Sequence, residues 1–334
     1  MRCPSRCGAR RWWRGVLGEG VRRSISFGAE PAVTAFDLLV VGDANPDVLL
    51  AGAPAVPPYG QAETLVASGT LALGGSAAIV AHGAARLGIS TALAAQVGRD
   101  AAGDFVLDTL TSAGVDITAV TRHPDLPTAL TVCLGGPDGD RAILTAPGCL
   151  AAFDPRELPP ARHIHAASYF LQPNLAARLP ELFRTATATT SLDTNHDPSG
   201  RWQLAPGLLE ACDYVLPNEA EALALTGTTS VDEALKAFAE SGVTPVVKRG
   251  RHGAAAQHAG QTHTARLAPL EPVDTVGAGD SFDAGFLAAL LNGEGLDRAL
   301  AVGCACGALS TQGLGGTAAQ PTWEQAVALG LSPG

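Results

Sequence analysis

The chain is poor in positive charge. Lysine occurs only twice, at Lys236 and Lys248, and 22 basic residues stand against 32 acidic ones among 334. The net charge of −10 argues against binding to nucleic acids or anionic membranes. No uninterrupted run of 18 apolar residues is present, which excludes a membrane-spanning helix. The seven cysteines are odd in number and scattered, so they predict a cytoplasmic protein without a disulfide framework.

Residues 1–35 differ from the rest of the chain. They contain seven arginines and only two acidic residues. The segment lacks the long apolar core of a secretory signal, and it lacks the serine content and amphipathic period of a transit peptide. We interpret it as a disordered basic extension, or as a start site assigned too far upstream, and assign residues 36–334 to one folded domain.

From Phe36 onward, short apolar runs alternate with segments of helical period. This alternation predicts an α/β fold with a mostly parallel central sheet and helices on both of its faces. Strands are predicted at 37–42, 91–97, 163–166, 191–193, 214–216 and 243–248. Helices are predicted at 76–87, 101–113, 175–188, 219–225 and 231–241.

Two stretches, 48–73 and 128–146, do not follow this alternation. The first is rich in proline and alternating residues, and the second resembles two strands joined by a turn at 135–140. Both could be loops, but together they could form a small β-sheet. We expect such a sheet to act as a lid over the carboxyl ends of the parallel strands, where open α/β sheets bind ligands.

The segment 274–286 carries the strongest chemical signal. Gly277, Ala278 and Gly279 leave bare backbone N–H groups at the start of a predicted helix, and such a terminus binds phosphate or a developing oxyanion. Asp280 follows directly. A carboxylate there would repel a phosphate, but it suits a general base that accepts a proton from a substrate hydroxyl. The alternative is that Asp280 only caps the helix.

Other nucleotide-binding signatures are absent. Neither lysine belongs to a G-x-x-x-x-G-K-[ST] phosphate loop. The pair Gly277 and Gly279 also fails the dinucleotide fingerprint, because Phe282 occupies the position of the third glycine. Protein-kinase motifs are missing as well.

At residues 274–282 the sequence D-T-V-G-A-G-D-S-F resembles the C-terminal signature of the ribokinase (PfkB) family of carbohydrate and nucleoside kinases. The resemblance extends across nearly the whole chain from Phe36. Four further segments match family motifs in the same order: G-D-A-N-P-D at 42–47, G-G-S-A-A at 74–78, N-E-A-E at 218–221 and V-V-K-R-G-R-H-G at 246–253.

The resemblance implies a ribokinase-like fold and transfer of the γ-phosphoryl group of ATP to a hydroxyl of a sugar or sugar acid. Asp280 would be the general base, and the amides of Gly277, Ala278, Gly279 and Asp280 would form the anion hole. The resemblance also assigns substrate contacts to Asn45, Asp47, Gly74, Gly75 and Gln172. It assigns Mg²⁺ to Asn218 and Glu221, the nucleotide to Lys248, Gly250 and Gly253, and a potassium ion to Asp274, the Val276 carbonyl and the region 315–317.

Several alternatives stay open. Asn45 and Asp47 could form a turn after a strand, and Asn218 with Glu221 could be a helix capping box. Ile79 stands where many relatives have asparagine, and Arg201 is displaced from the position of a family arginine. The chain could also be an adenosine or nucleoside kinase, or a catalytically silent sugar-sensing relative. Exposed lid strands would permit a homodimer.

Overall fold

In the computed structural model, the described residues are 36–136, 141–268 and 270–330. The predicted basic extension and the centre of the predicted turn, residues 137–140, lie outside them.

The central sheet has eight strands in the order β14-β13-β12-β11-β10-β9-β1-β4. All neighbours from β12 to β4 are parallel, and β12, β13 and β14 form an antiparallel edge. Its strands are β1 (Phe36–Val41), β4 (Thr91–Ala94), β9 (Ala161–Ala166), β10 (Thr189–Leu192), β11 (Tyr214–Val215), β12 (Thr244–Lys248), β13 (Ala254–His258) and β14 (Gln261–Ala265). The predicted, mostly parallel sheet is confirmed.

A separate four-stranded sheet forms from the two stretches that broke the alternation. Its order is β3-β2-β7-β8, with β2 and β7 parallel and both outer pairs antiparallel. Its strands are β2 (Asn45–Ala51), β3 (Ser68–Gly74), β7 (Leu130–Gly135) and β8 (Arg141–Ala146). The predicted small sheet is therefore present, and we call it the second sheet below.

Helices cover both faces of the central sheet. They are α1 (Ser76–Arg86), α2 (Ala101–Ser112), α3 (Pro173–Thr185), α4 (Glu219–Thr226), α5 (Val231–Glu240), α6 (Ala278–Leu291), α7 (Leu296–Ser310) and α8 (Trp323–Gly330). Successive side chains of a strand point to opposite faces. Accordingly, Leu38 and Val40 of β1 pack with α1, α2, α6 and α7, whereas Leu39 and Val41 pack with α3 and α5.

The prediction of a single strand over 91–97 is wrong. β4 ends at Ala94, and Gln96–Gly98 forms β5, which pairs in parallel with β6 (Thr121–His123) in a two-stranded sheet. β4 is the last strand of the central sheet, so beyond its pairing with β1 the chain is free to turn toward another partner. Among the described residues, no helix combines the length and apolar character needed to cross a bilayer.

Candidate active site

Polar residues collect where the parallel strands end. Asp43 follows β1, Asp193 follows β10, and Lys248 is the last residue of β12. Since parallel strands have their carboxyl ends at the same edge, side chains from distant parts of the sequence meet here, and the charges of all three act on Asp280. The second sheet continues from this edge, because β2 begins only four residues after β1 ends.

Asp280 lies in the first turn of α6, as predicted. Gly277 precedes the helix with φ of 70°, and a Cβ there would lie 2.5 Å from the Cα of Gly316. Only glycine fits this close approach. Among the described residues, the N–H groups of Gly277, Gly279 and Asp280 donate to no backbone carbonyl, while that of Ala278 makes a long bond of 3.4 Å to Thr275 O. The helix thus begins with bare N–H donors.

The Asp280 carboxyl is buried, with 8 % of the residue exposed. Burial raises its pKa to about 7; the negative charge of Asp193 adds to the rise, and Lys248 opposes it. The neighbouring Ser76 side chain also opposes the rise in this pKa. A pKa close to neutral pH suits a group that must be ionised at rest and accept a proton during reaction.

The close approach of Asp47 explains why the first residue of the Gly74-Gly75 pair is a glycine. Asn45 and Asp47 both lie in β2, so the alternative of a turn at these residues is wrong, and a Cβ on Gly74 would overlap the Asp47 carboxylate. Asn45 Nδ2 donates to Asp47 Oδ1 at 2.9 Å and to Thr131 Oγ1 at 3.3 Å. Burial and the charge of Asp43 raise the pKa of Asp47 to about 7. These polar groups line the face of the second sheet that carries Asp47.

Gly75 has a different role. Its φ is 84°, and it precedes α1, whose Ala77 N–H donates to Asp43 Oδ1 at 3.0 Å. A Cβ on Gly75 would lie 2.9 Å from Asp43 O. The glycine therefore lets α1 start directly against the segment that joins the two sheets.

Lys248 is buried in an acidic cluster. Its Nζ lies 2.6 Å from Asp193 Oδ2 and 2.9 Å from Asp283 Oδ2. Burial would lower the pKa of Lys248, but the two aspartates hold it above the ordinary value. Lys248 in turn holds the pKa of Asp193 down against its burial, whereas burial keeps the pKa of Asp283 well above normal.

Asn218 and Glu221 form the capping box that the sequence left as an alternative. Asn218 Oδ1 accepts the Glu221 N–H at 3.0 Å, and Glu221 Oε2 accepts the Asn218 N–H at 2.9 Å. Glu221 is buried, and burial together with the charge of Asp193 raises its pKa to about 7. A buried carboxylate of this kind fits a Mg²⁺ ion, since a hard cation favours oxygen ligands and would stabilise the ionised form.

The loop before α6 is fastened by Asp274. Its Oδ1 accepts the Val276 N–H at 3.0 Å, and its Oδ2 accepts the Gly315 N–H at 2.8 Å. The two segments assigned to a potassium ion are therefore adjacent, and their carboxylate and carbonyl oxygens are ligands that a hard cation accepts. Arg141 of β8 reaches the same loop, with Nη1 3.2 Å from Thr275 Oγ1 and 3.9 Å from Asp274 Oδ1.

The remaining predicted residues are more scattered. Gly250 is exposed, with φ of 53°, in a short 3-10 turn after β12; Gly253 ends that turn, and a Cβ on it would overlap Ala265 O. Gln172 is fully buried, and its Nε2 donates to the carbonyls of Ala167 and Ser168 at 3.2 Å each. Arg201 is exposed and bonds Ser199 Oγ at 3.2 Å.

Sequence reasoning missed several residues that support the site. Asp193 and Asp283 hold Lys248. Gln320 joins α1 to α6, because its Nε2 donates to Ile79 O and Ser281 Oγ at 3.0 Å each. Asn195 Nδ2 donates to Ser76 Oγ at 2.9 Å. Asp193 is the last residue of a predicted strand and Asn195 follows it, and this position was the available signal; nothing in the sequence marks Gln320.

Comparison with known proteins gives one family. A model of the pfkB family of carbohydrate kinases matches residues 35–323. An ATP-dependent ribose-1-phosphate kinase of Halopiger xanaduensis is 33 % identical over 82 % of this chain and 92 % of its own length. A ribokinase of Haemophilus influenzae is 28 % identical over 86 % and 96 %. The structure of Arabidopsis thaliana ribokinase complexed with ribose and ATP superposes with a TM-score of 0.79 at 25 % identity, covering 90 % of this chain and all of that one.

Proposed function

Because the chain belongs to the pfkB family of carbohydrate kinases, we propose that it transfers the γ-phosphoryl group of ATP to a hydroxyl of a sugar or sugar acid, with Asp280 as the general base. The observation that carries this proposal is the position of Asp280. A buried carboxyl with a pKa of about 7 lies in the first helical turn, beside N–H groups that have no backbone acceptor among the described residues.

In the proposed reaction, the substrate hydroxyl oxygen attacks the γ-phosphorus. The new O–P bond forms as the bond from phosphorus to the β,γ-bridging oxygen breaks, and ADP leaves with that electron pair. The hydroxyl proton passes to Asp280. The N–H groups of Gly277, Ala278, Gly279 and Asp280 stabilise the charge on the transferred group, which is the main demand of phosphoryl transfer.

On the substrate side, Asp47 would accept hydrogen bonds from sugar hydroxyls, and Asn45 would donate hydrogen bonds to them. The absence of side chains at Gly74 and Gly75 would let the sugar approach the backbone closely. The second sheet would act as the lid, because Asp47 on one of its faces is near enough to Asp280 for the two charges to interact. A lid that excludes water prevents water from replacing the sugar as acceptor. Gln172 would affect substrate binding only indirectly, through the turn at Ala167 and Ser168 to which its side chain is hydrogen-bonded.

On the nucleotide side, the backbone from Lys248 through Gly250 to Gly253 would line ATP. Asn218 and Glu221 would organise Mg²⁺, and Asp274 with the Val276 carbonyl would hold potassium. When bound, these cations would neutralise phosphate charge.

The proposal is tested by coupled ADP release with ribose, ribose 1-phosphate, fructose, 2-dehydro-3-deoxygluconate and adenosine as acceptors. We expect at least one sugar or sugar acid to exceed adenosine at least about tenfold, since no stacking aromatic is evident in the sequence near the lid except Tyr59, which is 94 % exposed. Replacing potassium by sodium in the same assay should slow the reaction.

The other outcomes would change the proposed function. Faster turnover of adenosine would make a nucleoside, rather than a sugar, the substrate. Absence of ADP release with all five acceptors would favour a catalytically silent, sugar-sensing protein. Equal rates in potassium and sodium would remove Asp274 and Val276 from a cation role, without affecting the assignment of Asp280.

We also propose that two copies associate through the second sheet. Leu71, Val48, Val132 and Leu144 lie directly opposite one another across its four strands, on the face away from Asp47. Leu71 is 52 % exposed and Leu144 59 %. A continuous apolar row of this kind on a sheet is typical of a protein–protein contact.

Sedimentation velocity tests this association. The wild type should sediment as a dimer at micromolar concentration, and Leu144→Glu should sediment as a monomer, because a carboxylate would be buried in the contact. Ile143→Glu is the matched control: Ile143 is 56 % exposed on the same strand but points to the opposite face, so the dimer should persist. A monomeric wild type would refute the proposal.

A further inference from the structure

Lys248 occupies a place that stability alone does not explain. Burying an ammonium and carboxylates costs more solvation energy than a well-packed apolar cluster would, so a buried ion pair is weak support for a fold. Yet one of only two lysines in the chain lies here, and its partners Asp193 and Asp283 are both almost completely buried. The position of the cluster suggests a reason.

The cluster lies against the reacting end of α6. Asp280 and Asp283 are three residues apart on that helix and so share a face. Carboxylate oxygens of Asp193, Asp280 and Asp283 lie within 4.8 Å of one another. A Cβ on the exposed Gly279 would lie 3.6 Å from Lys248 Nζ. The ammonium is therefore directly behind the turn that presents both the N–H groups and Asp280.

We propose that Lys248 is a positioning residue for phosphoryl transfer: held between Asp193 and Asp283, its ammonium braces the first turn of α6 and neutralises the carboxylate beside the base. This inference rests on the proposed function, because it concerns the role of Asp280 as base. It gives the two aspartates that sequence reasoning missed a common purpose, which is to hold the ammonium in place.

The charged groups around Asp280 define what the loss of Lys248 would do. Asp193 faces it from the end of β10, Asp43 from the end of β1, Asp47 from β2 and Glu221 from α4. Lys248 of β12 is the cation among these groups. Without it, Asp193 would stand uncompensated beside the base, and a neighbouring negative charge disfavours ionisation of a carboxyl.

The test is the pH dependence of kcat for Lys248→Met, measured from about pH 5 to about pH 9 at saturating sugar and Mg-ATP. We expect the acid limb to move upward by about one pH unit or more, so that kcat near pH 7 falls by about fivefold or more. Activity should recover toward high pH. At saturation Asp47 and Glu221 are covered by bound ligands, so the acid limb of the profile reports the pKa of Asp280.

Two further variants separate positioning from mere support of the fold. Lys236→Met removes the other lysine, which is exposed on α5, and should leave the profile unchanged. Asp193→Asn combined with Lys248→Met removes both charges, so it should fold even if the single variant does not. Its acid limb should return most of the way to the wild-type position.

A folded Lys248→Met with an unmoved acid limb would overturn the inference, as would a double variant whose limb stays as high as that of the single one. Asp280→Asn distinguishes this failure from failure of the proposed function. If Asp280→Asn is inactive while the limb of Lys248→Met is unmoved, only the inference fails. If Asp280→Asn keeps wild-type turnover, the proposed function fails.

Discussion

Asp280→Asn is expected to lower kcat by about 10²–10⁴, because the amide cannot accept the proton of the attacking hydroxyl. Asparagine keeps the size of the side chain, so binding of sugar and of Mg-ATP should change much less. The measurement is steady-state ADP release with both substrates varied, compared with the folded content of the same preparation.

The same variant has a predictable effect on stability. The pKa of Asp280 is about 7 in the folded chain, against an ordinary value of 3.8. Between these values the folded state holds a proton that the unfolded state has lost, so this group lowers the free energy of unfolding as pH rises from about 4 to about 7. Asp280→Asn lacks this contribution and should be at least as stable as the wild type at pH 8.

Asp232→Asn is the matched control. Asp232 also lies in the first turn of a helix, α5, but it is exposed to solvent, whereas Asp280 is buried. If Asp280 were only a favourable charge at a helix N-terminus, the two substitutions would have similarly small effects. Since Gly277 rather than Asp280 is the N-cap of α6, near-normal turnover of Asp280→Asn would reduce Asp280 to a favourable charge in the first helical turn.

Gly74→Ala is expected to lower kcat/KM for the sugar by about 10²-fold, mostly through a higher KM. An added Cβ would overlap the Asp47 carboxylate, which must then turn away from the substrate. Hydrogen bonds to a charged group contribute about 1.5–3 kcal/mol each, so the loss of one such contact accounts for about this factor. Turnover at saturating sugar should fall less than for Asp280→Asn.

The mechanism of this effect can be isolated. Asp47→Ala should reproduce the loss, and the combination of Gly74→Ala with Asp47→Ala should be no worse than Asp47→Ala alone, since both act through one carboxylate. Gly295→Ala is the control, because a Cβ there meets nothing within 4 Å and its φ of −75° is ordinary. Additive losses would show that Gly74 acts otherwise, for instance by displacing β3.

The fold could be predicted from the sequence because its signals are local. Apolar runs such as Leu38–Val41 and the helical periods between them are read within a dozen residues, and they sufficed for the central sheet and the helices on both faces. The second sheet was predicted from stretches that broke this alternation. The single strand over 91–97 was wrong because pairing partners, rather than local pattern, decide where an edge strand ends.

For the candidate site, the sequence by itself determined the N–H groups and the carboxylate of 277–280, since a glycine pair, an aspartate and a helix start lie within four residues. Only the tertiary structure placed Lys248 between Asp193 and Asp283, which are 55 and 35 residues away. It also set the pKa of Asp280, because burial and the charges of other strands act through space. Chemical identity is written along the chain, whereas desolvation and charge proximity exist only once distant strand ends share one edge.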